Sequence, residues 1–158
     1  MYKIFIDSSD NELIRNLSNK TRNNLISHDN CIVYGGDSNA KHDISITNLE
    51  LNAYVYIQEN AQGSGPEILL EGKNRLSNGI GKEVYKGIQK IYNNNNVDKG
   101  LIYKDGIFKI PLDNVPSILI NVIDIKNSDD VKWLSENTDN VAQAISNGII
   151  AGFNLKHC

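Results

Sequence analysis

The chain has 158 residues, 40% of them hydrophobic and 22% charged, with a formal net charge of −3. That is length for one core and not for two, so residues 1–158 are read as a single domain. A mildly acidic balance with scattered Lys and Arg gives no footprint for a phosphate backbone, which argues against nucleic acid as a partner. The three His (His28, His42, His157) and two Cys (Cys31, Cys158) show neither Cys-x-x-Cys nor His-x-x-x-His spacing, which excludes a zinc finger or a zincin.

Strand and helix patterns alternate along the chain. Tyr2 to Ile6 reads as a strand, and Asn11 to Ile26 as an amphipathic helix carrying Leu13, Ile14, Leu17, Leu25 and Ile26 on its apolar face. Cys31 to Tyr34 is a strand stopped by Gly35-Gly36, with Cys31 expected as a small core residue. Ser45 to Asn52 is expected as a short helix, then Tyr54 to Gln58 and Glu67 to Leu70 as strands joined by the turn Gly63-Ser64-Gly65-Pro66. Ser77 to Tyr92 holds Ile80, Val84, Ile88 and Ile91 at helical spacing. Leu101 to Phe108 reads as a strand or hairpin broken at Asp105-Gly106.

Ser117 to Ile125 (SILINVIDI) is an almost continuous β-branched run, as in a strand covered on both faces. Asp129 and Asp130 open a short helix where carboxylates suit the positive end of the dipole. Thr138 to Ala151 is a final helix capped by Thr138. The fold class that follows is α/β: an open, mostly parallel twisted sheet of about six strands with helices on both faces. Ligands of such sheets gather at the carboxyl ends of the strands.

Roughly one residue in seven is Asn, which reads as codon bias in an AT-rich genome; the run Asn93 to Asn96 reads as a surface loop. No apolar run approaches the roughly 18 residues of a membrane span. The first residues, Met1 to Asp7, alternate like a strand and carry no basic n-region with a following apolar stretch, so the sequence as given is expected in the cytoplasm.

Several stretches together resemble one family. The segment Pro116 to Leu134, PSILINVIDIKNSDDVKWL, is similar to the P-A-V-L-V-E-I-G-F-I-S-N-P-x-D-x-x-x-L of zinc-dependent N-acetylmuramoyl-L-alanine amidases. Asn52 to Ala61 (NAYVYIQENA) resembles the family's A-N-x-x-x-x-S-I-H-x-N-A, and Gly65 to Leu70 its G-x-E-V-Y-Y strand. Lys99-Gly100-Leu101 resembles the R-G-[VL]-K turn, Ile4 to Asp7 the I-x-I-D that leads into P-G-H-G, and Ala142 to Ile149 the closing A-x-A-I-x-x-G-I. The matches run in order over essentially the whole chain.

The resemblance implies a fold and a site. In that family a His, a Glu and a second His hold zinc, and a Glu on the L-V-E strand is general base toward the zinc-bound water that attacks the amide between the lactyl group and L-alanine. Carried over, the first His position holds Asp10, the Glu position Glu12, the second His position Gln58, and the general-base position Asn121. A neutral amide oxygen is a poor match for zinc, and Asn cannot take a proton from water. The expectation is therefore a pseudoenzyme: no intact catalytic or metal site, no bound zinc, and a remnant cleft around Glu59, Asn60, Glu67 and His42.

Such a chain would act by binding peptidoglycan fragments or a protein partner, for example an active cell-wall amidase that it regulates. An active amidase or hydrolase with an atypical metal site, rebuilt from residues such as Asp10, His42 and Glu59, is the alternative from the enzyme class. A scaffold that binds proteins and no glycan is the third reading. The missing leader resembles phage endolysins, released through holins or by lysis, and the Asn- and Ile-rich composition resembles low-GC clostridia. Trp133, on the short helix after the L-V-E-like strand, is expected in the core, and His28 in turn chemistry.

Overall fold

The computed structural model describes residues 1–36, 49–60, 65–71, 74–92, 100–108 and 115–155. Six strands and three helices alternate in it: β1 (Tyr2–Ser8), α1 (Glu12–Ile26), β2 (Cys31–Gly36), β3 (Ala53–Asn60), β4 (Glu67–Leu70), α2 (Arg75–Ile91), β5 (Leu101–Tyr103), β6 (Ser117–Asp124) and α3 (Ser128–Leu155). The strands form one sheet in the order β2-β1-β3-β6-β4-β5. β2, β1, β3 and β6 run parallel, β4 is antiparallel to β6, and β5 follows β4. The carboxyl ends of β1, β3 and β6 thus share an edge with the amino end of β4.

Period-2 alternation divides the sheet's side chains into two unlike faces. Ile4 and Ile6 of β1, Val55 and Ile57 of β3, and Ile118 and Ile120 of β6 pack against Ile14 and Leu17 of α1, Ile80, Val84 and Ile88 of α2, and Val141, Ile145 and Ile149 of α3. The other face carries Phe5, Leu51 and Tyr54, with Tyr56, Phe108 and Val115 half-buried against them. The Phe5 and Tyr54 rings stack with centroids 5.7 Å apart, and Phe108 meets Tyr54 edge-on at 5.8 Å. Among the described residues all three helices lie on the aliphatic face. Of the helix expected at Ser45–Asn52, residues 45–48 lie outside the described residues, and Leu49–Asn52 is not helical: Glu50 has φ 50°, a left-handed conformation that no helix contains.

Helix ends follow from their caps. Asn11 accepts from the Ile14 amide, Asn74 from Leu76 and Ser77, and Asn127 from Asp129 and Asp130. Asn127, one residue before the helix, is therefore the cap where the sequence suggested only acidic residues opening it. The last two helices expected from the sequence follow each other directly within α3, separated by a non-helical break at Asn137, whose φ is −123°. Thr138 is not the cap of the second. The Thr138 hydroxyl donates to the Leu134 carbonyl at 2.6 Å, the back-bonding alternative open to a Thr beside a helix break. α2 and α3 approach closely at glycines: a Cβ on Gly148 would sit 2.6 Å from the Val84 Cα, and one on Gly152 would sit 2.7 Å from the Ile80 Cα.

Trp133 packs edge-on against Tyr92 with centroids 4.8 Å apart and donates its indole N–H to the Ile91 carbonyl, so it is a packing residue as expected. Cys31 is only half-buried at the start of edge strand β2. Burial pushes its thiol pKa up, and the nearby amino terminus opposes part of that rise. Among the described residues no helix is long and apolar enough to cross a membrane.

Candidate functional site

Register brings three of the sequence-selected residues into one row. Gln58 on β3 is paired with Asn121 on β6, and Asn121 is in turn paired with Glu67 at the start of β4. Side chains on directly opposed residues project to the same face, so the row lies on the aromatic side of the sheet, away from the helices. Gln58 Nε2 donates to Asn121 Oδ1 at 2.8 Å, and Asn121 Nδ2 donates to Glu67 Oε1 at 2.6 Å. Asn121 is 6% exposed, while Gln58 and Glu67 are half-buried. The row carries one carboxylate and two neutral amides.

A second group forms at the ends of β1 and β3. Asp7 is 4% exposed and accepts from the Ser8 amide at 2.9 Å and from the Tyr54 hydroxyl at 2.8 Å. The Ser9 hydroxyl donates to Glu59. Tyr56, paired with Asp7 across the strands, has its phenol pKa pushed up first by burial and then by the negative charges of Asp7, Glu59 and Asp10. Those three carboxylates therefore share the neighbourhood of one phenol.

The other candidates fall as follows. Asp10 is exposed in the turn before α1, and Glu12 is exposed in its first turn, where the helix dipole favours a carboxylate. Asn60 is buried one step beyond an irregularity in the β3–β6 pairing, opposite Asp124. His28 closes the α1–β2 turn through backbone bonds to Leu25 and Cys31, as the sequence suggested. His42 and His157 lie outside the described residues. Among the described residues no group of three His, Cys, Asp or Glu side chains is arranged to hold a metal ion.

Sequence reasoning missed one residue that shapes the site. Asp130, 2% exposed, accepts from the Gly65 amide at 3.0 Å, the Asp124 amide at 2.9 Å and the Tyr92 hydroxyl at 2.7 Å. It ties the turn entering β4, the end of β6 and the end of α2 to one carboxylate, and so holds Glu67 and Asn121 in register. Its signal was present in the amidase-like stretch, where Asn127 and Asp130 are the matched N and D.

No protein-family model and no curated protein matches the sequence. Solved structures do. The fold is similar to an N-acetylmuramoyl-L-alanine amidase from Clostridium difficile at 19% identity and TM-score 0.81, covering 98% of each chain. It is similar to the CwlD amidase of Clostridioides difficile, solved in complex with the GerS lipoprotein, at 18% identity and TM-score 0.80, covering 98% of this chain and 100% of that one. The catalytic domain of CwlV, an N-acetylmuramoyl-L-alanine amidase from Bacillus (Paenibacillus) polymyxa var. colistinus, matches at 19% identity and TM-score 0.76, over 98% of this chain and 99% of that one. The α/β fold is thus the fold of these amidases.

Proposed function

We propose that this chain is a catalytically inactive relative of the peptidoglycan N-acetylmuramoyl-L-alanine amidases that acts by binding and not by hydrolysis. The observation that carries the reading is the Gln58–Asn121–Glu67 row, in which Gln58 is hydrogen-bonded to Asn121 and Asn121 to the Glu67 carboxylate. On the resemblance, Gln58 occupies the position of a zinc-binding His and Asn121 that of the general base. An amide nitrogen that donates to a neighbour cannot take a proton from water, and Asn has no other basic atom at neutral pH. Gln58 offers a neutral carbonyl oxygen where the family has an imidazole, and with the exposed carboxylates of Asp10 and Glu12 the former ligand positions carry oxygen donors only. These residues do not fit a zinc ion.

Binding is the role left to such a site, with the half-buried Glu59 and Glu67 as its candidate contacts. The ligand is a peptidoglycan fragment or a protein; the CwlD structure, an amidase held by a lipoprotein, supports a protein partner for a domain of this fold. Two measurements test the reading together. Elemental analysis of the native protein is expected to find no stoichiometric zinc, and the protein is expected to sediment with insoluble peptidoglycan or to capture a defined protein partner. Stoichiometric zinc would favour a second reading, an active hydrolase with an atypical metal site built on Asp10, Glu12 and Gln58 with Glu59 as base. The observation in its favour is that Asp10 and Glu59 both act electrostatically on Tyr56.

A further inference from the structure

The amino ends of β1 and β2 meet the carboxyl end of α3 at one corner of the domain, at the opposite end of the strands from the Gln58–Asn121–Glu67 row. There the Tyr2 ring stacks on the Phe153 ring, with centroids 4.1 Å apart and planes 8° from parallel. Cys31 is the register partner of Tyr2 on the neighbouring strand, and both side chains pack against the core cluster that contains Phe153. The Cys31 thiol therefore projects to the helix face, beside the Tyr2–Phe153 stack. Both sides of this corner are fixed. The Tyr2 amide donates to the Asn30 carbonyl at 2.7 Å and the Cys31 amide to the His28 carbonyl at 3.1 Å, while Phe153 is 0% exposed.

The second cysteine of the sequence follows this corner closely. Cys158 lies outside the described residues, three positions beyond Leu155, where α3 ends. Elements packed face to face through their side chains stand roughly 10 Å apart and neighbouring strands about 4.8 Å, which puts the Cys31 Cα about 11 Å from that of Phe153. From Phe153, two helical steps and three extended residues reach up to about 13 Å, and a disulfide adds about 5.5–6 Å between Cα atoms. The tether is long enough, with several ångströms to spare.

We infer that Cys31 and Cys158 form an intramolecular disulfide under oxidising conditions, which fastens the tail after α3 to edge strand β2. This corner has no part in the binding role proposed above, so the bond stands or falls independently of it. It forms by thiol–disulfide exchange with a small-molecule disulfide such as oxidised glutathione. The Cys158 thiolate attacks one glutathione sulfur and displaces the other as a thiolate; the Cys31 thiolate then attacks the Cys158 sulfur and displaces the second glutathione thiolate. Two cysteine thiols are oxidised, one glutathione disulfide is reduced to two thiols, and the two protons pass to the leaving thiolates. A reducing compartment drives the same steps backward, so the tail is tied down in one compartment and released in the other.

In the test, the full chain is purified reduced, equilibrated with oxidised and reduced glutathione in native buffer and in concentrated urea, quenched with acid, and digested without reduction for mass spectrometry. The expected product is a Cys31 peptide joined to a Cys158 peptide and lost on reduction. It is expected to be favoured over the glutathione adducts at least about tenfold more in native buffer than in urea, because the fold holds the two thiols close. A bond favoured tenfold by the native state raises Tm by roughly 3–6 °C on oxidation, and that rise is expected to be absent in Cys158→Ser. Glutathione adducts at both cysteines without the cross-link, disulfide-linked dimers in its place, or a cross-link no more favoured in native buffer than in urea overturns the inference.

Discussion

Replacing Asn121 with Asp tests whether the row is as drawn. The substitution keeps the shape but sets a second carboxylate against Glu67, whose oxygen lies 2.6 Å from Asn121 Nδ2. It removes one hydrogen bond to a charged group, worth about 1.5 kcal/mol. Two full charges about 4 Å apart repel by about 4 kcal/mol at an effective dielectric of 20. Glu67 is half-buried, so solvent screening leaves about half of that repulsion. The cost in alkaline buffer is thus about 3–4 kcal/mol.

The sign with pH follows from the shared site. In acid the pair retains one proton between them, the hydrogen bond is restored, and the cost falls to about 1 kcal/mol. The folded pair's pKa is raised above the unfolded carboxylate value of about 4, so the variant's stability is intact below that value and is lost as pH rises through the folded one. Urea unfolding of wild type and variant at pH ~4.5 and pH ~8 measures the difference directly. Asn121→Leu, which loses both bonds without adding charge, is expected to show the same deficit at both values. A deficit for Asn121→Asp that does not change with pH would refute the contact with Glu67.

Other consequences follow from the packing. Asp130→Ala strands three donors, those of Gly65, Asp124 and Tyr92, and is expected to cost about 3–5 kcal/mol in urea unfolding, against about 1 for Asp130→Asn, which keeps an acceptor. Gly148→Ala drives a methyl into the Val84 backbone and is expected to lower stability by about 2–3 kcal/mol, or roughly 5–10 °C in Tm. Gly79→Ala, whose nearest neighbour would be 3.9 Å away, is expected to be neutral or stabilising by up to about 1 kcal/mol in the same scan. In a Cys158→Ser background, the Cys31 thiol is expected to react with iodoacetamide more slowly than a free cysteine near neutral pH. Its rate should rise only at more alkaline pH, because burial raises its pKa.

The elements with strong periodicity were legible from sequence. Ser117–Ile125 announced a buried central strand, and the spacing of Ile80, Val84 and Ile88 announced α2. Helix ends were harder, because any polar residue near a helix start is a candidate cap. Asn11, Asn74 and Asn127 are caps in a chain whose Asn content had suggested only genomic bias, and composition cannot single out which Asn meets an orphan amide. Thr138 carried the cap signal and spent its hydroxyl on Leu134.

Within the site, the positions of Gln58, Asn121 and Glu67 were legible through the amidase-like stretches. Their bonding was not, since it depends on strand register across 63 and 54 residues of sequence separation. Asp130 stayed hidden for the same reason, its partners Gly65 and Tyr92 lying 65 and 38 residues away. Tyr56 carries no motif, and only its position among three carboxylates gives it interest.

Whether this fold has lost hydrolysis through Gln58 and Asn121 is settled by incubating the purified, zinc-saturated protein with isolated peptidoglycan and looking for released stem peptides by mass spectrometry. No release above that of a protein-free control is expected. Release that depends on zinc and disappears in Asn121→Ala would contradict that loss.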